Sequence, residues 1–139
     1  MSILQAIKNY MLLFPLLQED APLLSDHADG SEVQYSIIQL PGTRVLEEDL
    51  AGNQACQYTF AFQSTESTLD ELQRFANADF YEQLSNWFIS QSLQEILPTL
   101  SDDQTPELIE TITGGYLMQE ETGTGVYQIQ CRLLYNQQT

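Results

Sequence analysis

The stretch TLDELQRFANADFYEQLSNWFISQSLQEIL, residues 68–97, decides the fold of this chain. It belongs to the longest run of the sequence without Gly or Pro, and strand-like segments lie on both sides of it. Thr68 and Glu71 have the spacing of a capping box, so a helix is expected to begin at Thr68. Pro98 disfavours helical backbone at Leu97 and is expected to end the run. The stretch therefore predicts a helical centre between two β-rich halves.

The helical centre is expected to consist of two helices. Asn77 and Asp79 interrupt the apolar spacing with residues that favour caps and turns, so Asp79 is predicted to begin the second helix. The apolar positions that follow are Phe80, Leu84, Trp87, Phe88, Leu93 and Ile96. An aromatic stripe can line a ligand pocket, but its commoner use is to cover a sheet, and we expect the latter.

A further helix is predicted near the start of the sequence and is expected to pack beside the central one. Ser2 can cap it, because its hydroxyl can accept a bond from the first turn. Its apolar face consists of Ile3, Leu4, Ile7, Met11 and Phe14. This is the spacing of an amphipathic helix with one buried side.

Two alternating segments precede the central stretch. Residues 33–37 alternate apolar and polar side chains, and residues 43–46 are expected to extend that strand after a break at Pro41. Residues 56–63 show the clearest alternation in the chain. A short acidic turn joins them, so an antiparallel hairpin is predicted.

Two more alternating segments follow the central stretch. The first, residues 111–118, contains Gly114 and Gly115, a pair that often marks a bulge or the close approach of another backbone. The second is residues 126–135. The sequence therefore predicts an α+β fold, a four-stranded, mainly antiparallel sheet with helices packed on one face, in the order α-β-β-α-α-β-β.

The length and the cysteines fit one domain that needs no cross-link. A chain of 139 residues fits a single domain over residues 1–139. Its longest early apolar run, residues 11–17, is too short to cross a bilayer, so a soluble, intracellular protein with no membrane partner is expected. Cys56 and Cys131 lack metal or redox spacing and are predicted to be buried thiols.

The chain is strongly acidic, with 20 Asp and Glu against 4 Lys and Arg and a formal net charge of -16. The basic residues are Lys8, Arg44, Arg74 and Arg132. Such a chain cannot bind nucleic acid by neutralising phosphates. The commonest reason for an acidic surface is solubility. Two more specific explanations of the acidity are a channel lining through which DNA passes without binding and a surface that imitates DNA.

No arrangement typical of an enzyme is visible, and no cofactor or metal is expected. His27 is the only histidine and is predicted to be an exposed loop residue. A calcium loop aligned on Gly30 fails, since Ser36 stands where the bidentate Glu belongs. The glycines match neither a dinucleotide fingerprint nor a phosphate loop. The paired carboxylates lie in predicted loops, where solvation is their usual role, and none of them is marked as an acid and base.

Over nearly its full length the chain resembles a family of small proteins of tailed bacteriophages, the minor capsid proteins that are similar to tail terminators. The resemblance is carried by residues 3–10, 14–17, 35–37, 57–62, 77–87, 115–117 and 127–135. These positions determine the fold and include no catalytic group.

The resemblance implies a structural virion protein. Tail terminators form a ring, typically a hexamer, at the head-proximal end of the tail tube, stop its polymerisation and contact the head connector. The expected partners are therefore other copies of this chain, the tail tube protein and the head-tail connector protein, and DNA would pass through without specific binding. The expected location is the tail end of the virion nearest the head, and the host cytoplasm during assembly.

Because cations are so few, Arg44, Arg74 and Arg132 are predicted to pair with acids of neighbouring subunits, although pairing within the chain is an equally good use of them. Three other functions remain open. They are a head-tail connector or completion component, an acidic DNA mimic that inhibits a nucleic-acid enzyme, and an enzyme with a site in a loop.

Overall fold

A computed structural model describes residues 2–17, 23–24, 34–67, 71–121 and 123–139. It contains helices α1 (Ile3–Met11) and α2 (Glu71–Leu93) and strands β1 (Leu23–Leu24), β2 (Gln34–Gln39), β3 (Val45–Glu48), β4 (Gln54–Ser67), β5 (Gln104–Thr111), β6 (Tyr116–Glu121) and β7 (Thr124–Gln137). The predicted cap at Thr68 and the loop around His27 lie outside the described residues.

The two longest strands, β4 and β7, form the centre of the sheet and pair antiparallel along their whole length. On the far side of β4, β2 pairs with one half and β3 with the other. On the far side of β7, β5 and β6 divide the strand in the same way. The two-residue β1 adds to β2 and is the only parallel pair among the described strands.

The α+β class and the mainly antiparallel sheet are confirmed, but the predicted count of four strands and the predicted order are wrong. The chain runs α-β-β-β-β-α-β-β-β, because the first predicted strand is two separate segments, β2 and β3, and because β1 and β5 were not predicted. Pro41 and Gly42 lie between β2 and β3, as the predicted break required. Residues 111–118 are not one strand: β5 ends at Thr111, β6 begins at Tyr116, and the glycine pair lies in the gap.

The core lies between the two helices and one face of the sheet. Alternate residues of the central strands face the helices, so that Phe60 lies beside Cys131 and Phe62 beside Ile129, all fully buried. Helix α1 is capped by Ser2, whose Oγ accepts a bond from the Gln5 N–H at 3.1 Å. The helices contact each other through aromatic rings. The ring centroids of Tyr10 and Phe14 each lie 5.2 Å from the ring centroid of Trp87. The expected packing of the first helix beside the central one is therefore confirmed.

The prediction of a second helix beginning at Asp79 is wrong, since α2 is continuous from Glu71 to Leu93. Asn77 does not break it, because its side chain is buried, 2% exposed, against the rest of the fold. Leu93, predicted to be in the apolar stripe, is 80% exposed. It follows buried Phe88 by five residues, which on an α-helix points it well away from the sheet.

Candidate functional site: assembly surfaces

Two acidic loops meet at one end of the sheet, which we call the acidic end. One is the end of β3 with the turn that follows it, Glu47, Glu48 and Asp49, and the other is Asp102 and Asp103 before β5. They meet because β4 and β5 both run antiparallel to β7 and so begin at the same end, with Gln54 and Gln104 each opposite Gln137.

Among the described residues, neutral amides and no cations bond the carboxylates of the acidic end. Gln137 Nε2 donates to Asp103 Oδ2 at 2.7 Å, and Gln54 Nε2 donates to Glu48 Oε2 at 2.9 Å. Asn136 Nδ2 donates to Glu107 Oε1 at 2.5 Å. These bonds orient the carboxylates without neutralising them, so the negative charge stays at this surface.

Asp49 closes the turn on itself. Its Oδ1 accepts bonds from the backbone N–H groups of Ala51 and Asn53, both at 2.9 Å. The Asn53 backbone bond is the largest influence on this carboxyl and lowers its pKa below the ordinary value. The pKa is lowered on folding, so this contribution to stability is present above about pH 4 and is lost as the pH falls through the folded value.

The opposite end of the sheet has a different surface. Residues 111–119 carry no charged side chain, and β6 presents Tyr116, Leu117 and Met118 at 38%, 40% and 44% exposure. Glu120 and Glu121, the third acidic pair, follow at the end of that strand. The sheet therefore has an acidic end and, diagonally across from β3, a largely apolar corner.

The predicted subunit-contact arginines have different surroundings. Arg132 Nε lies 2.6 Å from Glu110 Oε2 on the outer face of the sheet, with both side chains about one-third exposed. Arg44 is exposed, donates weakly to Cys56 Sγ at 3.7 Å and approaches the Tyr135 hydroxyl. No carboxylate lies within ion-pair distance of Arg44 in the described part of the chain. The side chain of Arg74 is outside the described residues. The role of all three in subunit contacts stays a prediction.

The other predicted functional groups do not come together. Cys56 and Cys131 are free and buried, as predicted, and burial raises the pKa of the Cys131 thiol. Within the described ranges, no three His, Cys, Asp or Glu side chains are grouped to hold a metal ion. His27 and most of the rejected calcium loop are outside those ranges. None of the helices that the structure describes is long and apolar enough to cross a membrane.

Sequence reasoning missed the meeting of the two acidic loops and the exposure of β6. No local signal marks the first, because it depends on β4 and β5 both bordering β7. A signal for the second was the absence of charge from residues 111–119 in so acidic a chain.

Compared with models of known protein families the chain matches none, and it has no significant match among curated protein sequences.

Proposed function

We propose that this chain is a structural virion protein of a tailed bacteriophage, which forms a ring at the head-proximal end of the tail tube. The ring ends tube polymerisation and joins the tail to the head connector. The proposal begins from the resemblance of residues 3–135 to tail-terminator-like minor capsid proteins, which implies a hexamer without catalytic chemistry.

The observation that carries the proposal is the separation of charge from apolar surface along the sheet. The acidic end holds two clusters of carboxylates that no described cation neutralises. The opposite corner exposes Tyr116, Leu117 and Met118. A ring component needs both kinds of surface, since its copies must contact one another while its passage must repel the phosphates of moving DNA.

A neighbouring copy would be strongly repelled at most orientations, because each copy carries -16. Contacts between copies are therefore favoured at surfaces that are uncharged or cationic. Residues 111–119 at the β6 corner carry no charge before Glu120 and Glu121, and Arg44 is cationic, so the chain has a small number of places where copies can meet. This supports a specific assembly over random association.

The test combines mass measurement with a tube assay. Multi-angle light scattering over a concentration and salt series should show a discrete ring, or a monomer that becomes a ring when the tube protein of its own virion is added. In electron micrographs, adding the protein to polymerising tube protein should shorten the tubes and place one ring at one tube end.

A strict monomer or dimer that leaves tube growth unchanged would refute the proposal. Inhibition of a nuclease by that monomer would then identify the chain as a DNA mimic, and binding to a head connector without any effect on tubes would identify a connector component. A ring whose inner wall excludes the acidic end would refute the acidic passage alone.

A further inference from the structure

The outer edge of β6 and the outer edge of β3 are both open among the described strands. Each of these strands pairs on one side only, β6 with β7 and β3 with β4. An open strand edge presents unpaired backbone N–H and C=O groups and is a template for pairing with another chain.

Strand β5, the edge strand that borders β7 beside β6, shows how this fold blocks pairing at an edge. Ser92 of α2 lies against β5, where its Oγ donates to the Ile109 carbonyl at 2.9 Å and accepts from the Ile109 N–H at 3.2 Å. Pro106 also removes a donor from β5. Strand β6 has no proline, and its first charged residue is Glu120. The first part of β6 therefore lacks proline and charge, and of the usual devices that prevent edge pairing it has a bulge between Leu117 and Gln119.

The two open edges lie at diagonal corners of the sheet. Strand β3 borders residues 54–56 of β4, while β6 borders residues 124–128 of β7, which pair with residues 63–67 of β4. The centres of the two corners are thus roughly 33 Å apart along the strands, and the corners are three strand spacings apart across them. Within one copy the two edges cannot meet.

Strand direction makes the two edges complementary between copies. Each step from β3 to β4, β7 and β6 is antiparallel, so β6 and β3 run in opposite directions. A second copy added to the sheet in the same orientation would place its β3 antiparallel to the β6 of the first. The same contact then repeats from copy to copy, which is the heterologous interface that a ring requires.

We propose that β6 of one copy pairs antiparallel with β3 of the next copy, so that the sheet continues from subunit to subunit. This inference rests on the proposed ring and names its subunit contact. The diagonal offset of the two edges would tilt the strands relative to the ring axis, as strands tilt in a closed barrel.

Apolar exposure and charge select one register. Leu46 of β3 is 46% exposed and Met118 of β6 is 44% exposed, so each can cover the other. With these two opposite each other, the antiparallel pairing brings Glu120 to Arg44. A parallel pairing on the same anchor would bring Glu120 to Glu48, and like charges directly opposite destabilise a strand pair.

Disulfide trapping tests this contact on the full chain. Leu46→Cys and Met118→Cys are prepared separately, and native Cys56 and Cys131 are buried and should not cross-link. Directly opposite residues of an antiparallel pair lie within disulfide range. Mild oxidation of the mixture should give a covalent dimer, each variant alone should give none, and the double variant should give a ladder that ends at the ring size.

A second pair of variants measures the contact without oxidation. Met118→Asp should raise the dissociation concentration of the ring at least tenfold while leaving the melting temperature of the subunit nearly unchanged. Ile89→Asp, at a 55% exposed position of α2, is the matched control and should leave the ring intact.

The outcomes separate this contact from the proposed function. If light scattering shows a ring while the mixture gives no cross-link, or while Met118→Asp leaves the ring intact, the edge pairing is overturned but the proposed ring is not. Cross-linking of Met118→Cys alone shows that β6 pairs with its own copy across a two-fold axis, and also overturns it. A chain that stays monomeric with tube protein present overturns both.

Discussion

Gly115 lies directly beneath the base of the Tyr81 side chain, so closely that a Cβ at position 115 would overlap Tyr81 Cβ and Cγ. Tyr81 is held there from the other end, because its hydroxyl bonds the Ser64 hydroxyl at 2.6 Å and donates to the Tyr127 carbonyl at 3.2 Å. Helix α2 therefore crosses the gap between β5 and β6 at Gly115, a residue without a side chain, and the apolar corner begins immediately beyond it.

Gly115→Ala should destabilise the protein by about 2–3 kcal/mol, because the added methyl forces a buried tyrosine and its helix away from the sheet. The change should appear as a lower urea midpoint with a similar slope. Gly114→Ala is the matched control, since its added methyl meets nothing within 4 Å. Its stability should change by less than about 0.5 kcal/mol, and equal losses in the two variants would contradict the close approach.

Glu95 ends α2 in the left-handed conformation, with φ 59°, where glycine is usually found. The Ile96 N–H bonds the Gln91 carbonyl at 2.9 Å and the Glu95 N–H bonds the Ser92 carbonyl at 3.1 Å, which is the pattern of a Schellman motif. Glu95→Gly should stabilise the fold by about 0.5–1 kcal/mol, because it relieves the backbone strain and removes a negative charge from a helix C-terminus.

Thermal unfolding of three variants would isolate that backbone effect. Glu95→Gln removes the charge and keeps the strain, so it should recover only a small part of the gain. Gln94→Gly places the glycine one residue too early and should lower the melting temperature. The prediction is contradicted if Glu95→Gly is no more stable than Glu95→Gln.

Tyr10 links α1 to the chain just after α2, because its hydroxyl donates to the Ile96 carbonyl at 2.7 Å. Burial raises the pKa of Tyr10 to about 12, against a smaller lowering by Gln91. A raised pKa means that the stability it contributes is complete below about pH 10 and is lost as the pH rises through about 12. Tyr10→Phe should cost about 1 kcal/mol at pH 7 and should flatten the loss of stability between pH 10 and 12. Urea unfolding at pH 7 and across pH 10 to 12 checks this. If the free energy of unfolding falls as steeply with pH in Tyr10→Phe, the loss belongs to other groups.

The alternating segments were predictable because their pattern is local. The side chains of Tyr127, Ile129, Cys131, Leu133 and Tyr135 are all buried, as the two-residue period required. The glycine pair was expected to mark a bulge or the close approach of another backbone, whereas it lies between two strands and the group that approaches Gly115 is the Tyr81 side chain. The alternation follows from a few neighbouring residues and needs no knowledge of the rest of the fold.

The errors arose where tertiary packing overrides local preference. Asn77 favours a break in an isolated helix, but burial holds it inside α2. Strand β5 was not predicted, since Pro106, Glu107 and Glu110 interrupt any apolar alternation, although proline and charge are what an edge strand tolerates. The acidic end and the β6 corner depend on which strand borders which, and sequence spacing does not contain that information.

Arg44 and Arg132 offer the sharpest test of the predicted subunit contacts. Arg44→Gln should raise the dissociation concentration of the ring several-fold and more strongly at low salt, since the contact is between charges near water.

Arg132→Gln should cost the subunit less than about 1 kcal/mol, because its bond to Glu110 is exposed, yet should weaken the ring if Arg132 also reaches a neighbour. Lys8→Gln removes the same charge from α1 and should leave assembly unchanged. Glu110→Gln separates the two uses of Arg132: if it weakens the ring as much as Arg132→Gln does, the arginine acts through its own chain and is not a subunit contact.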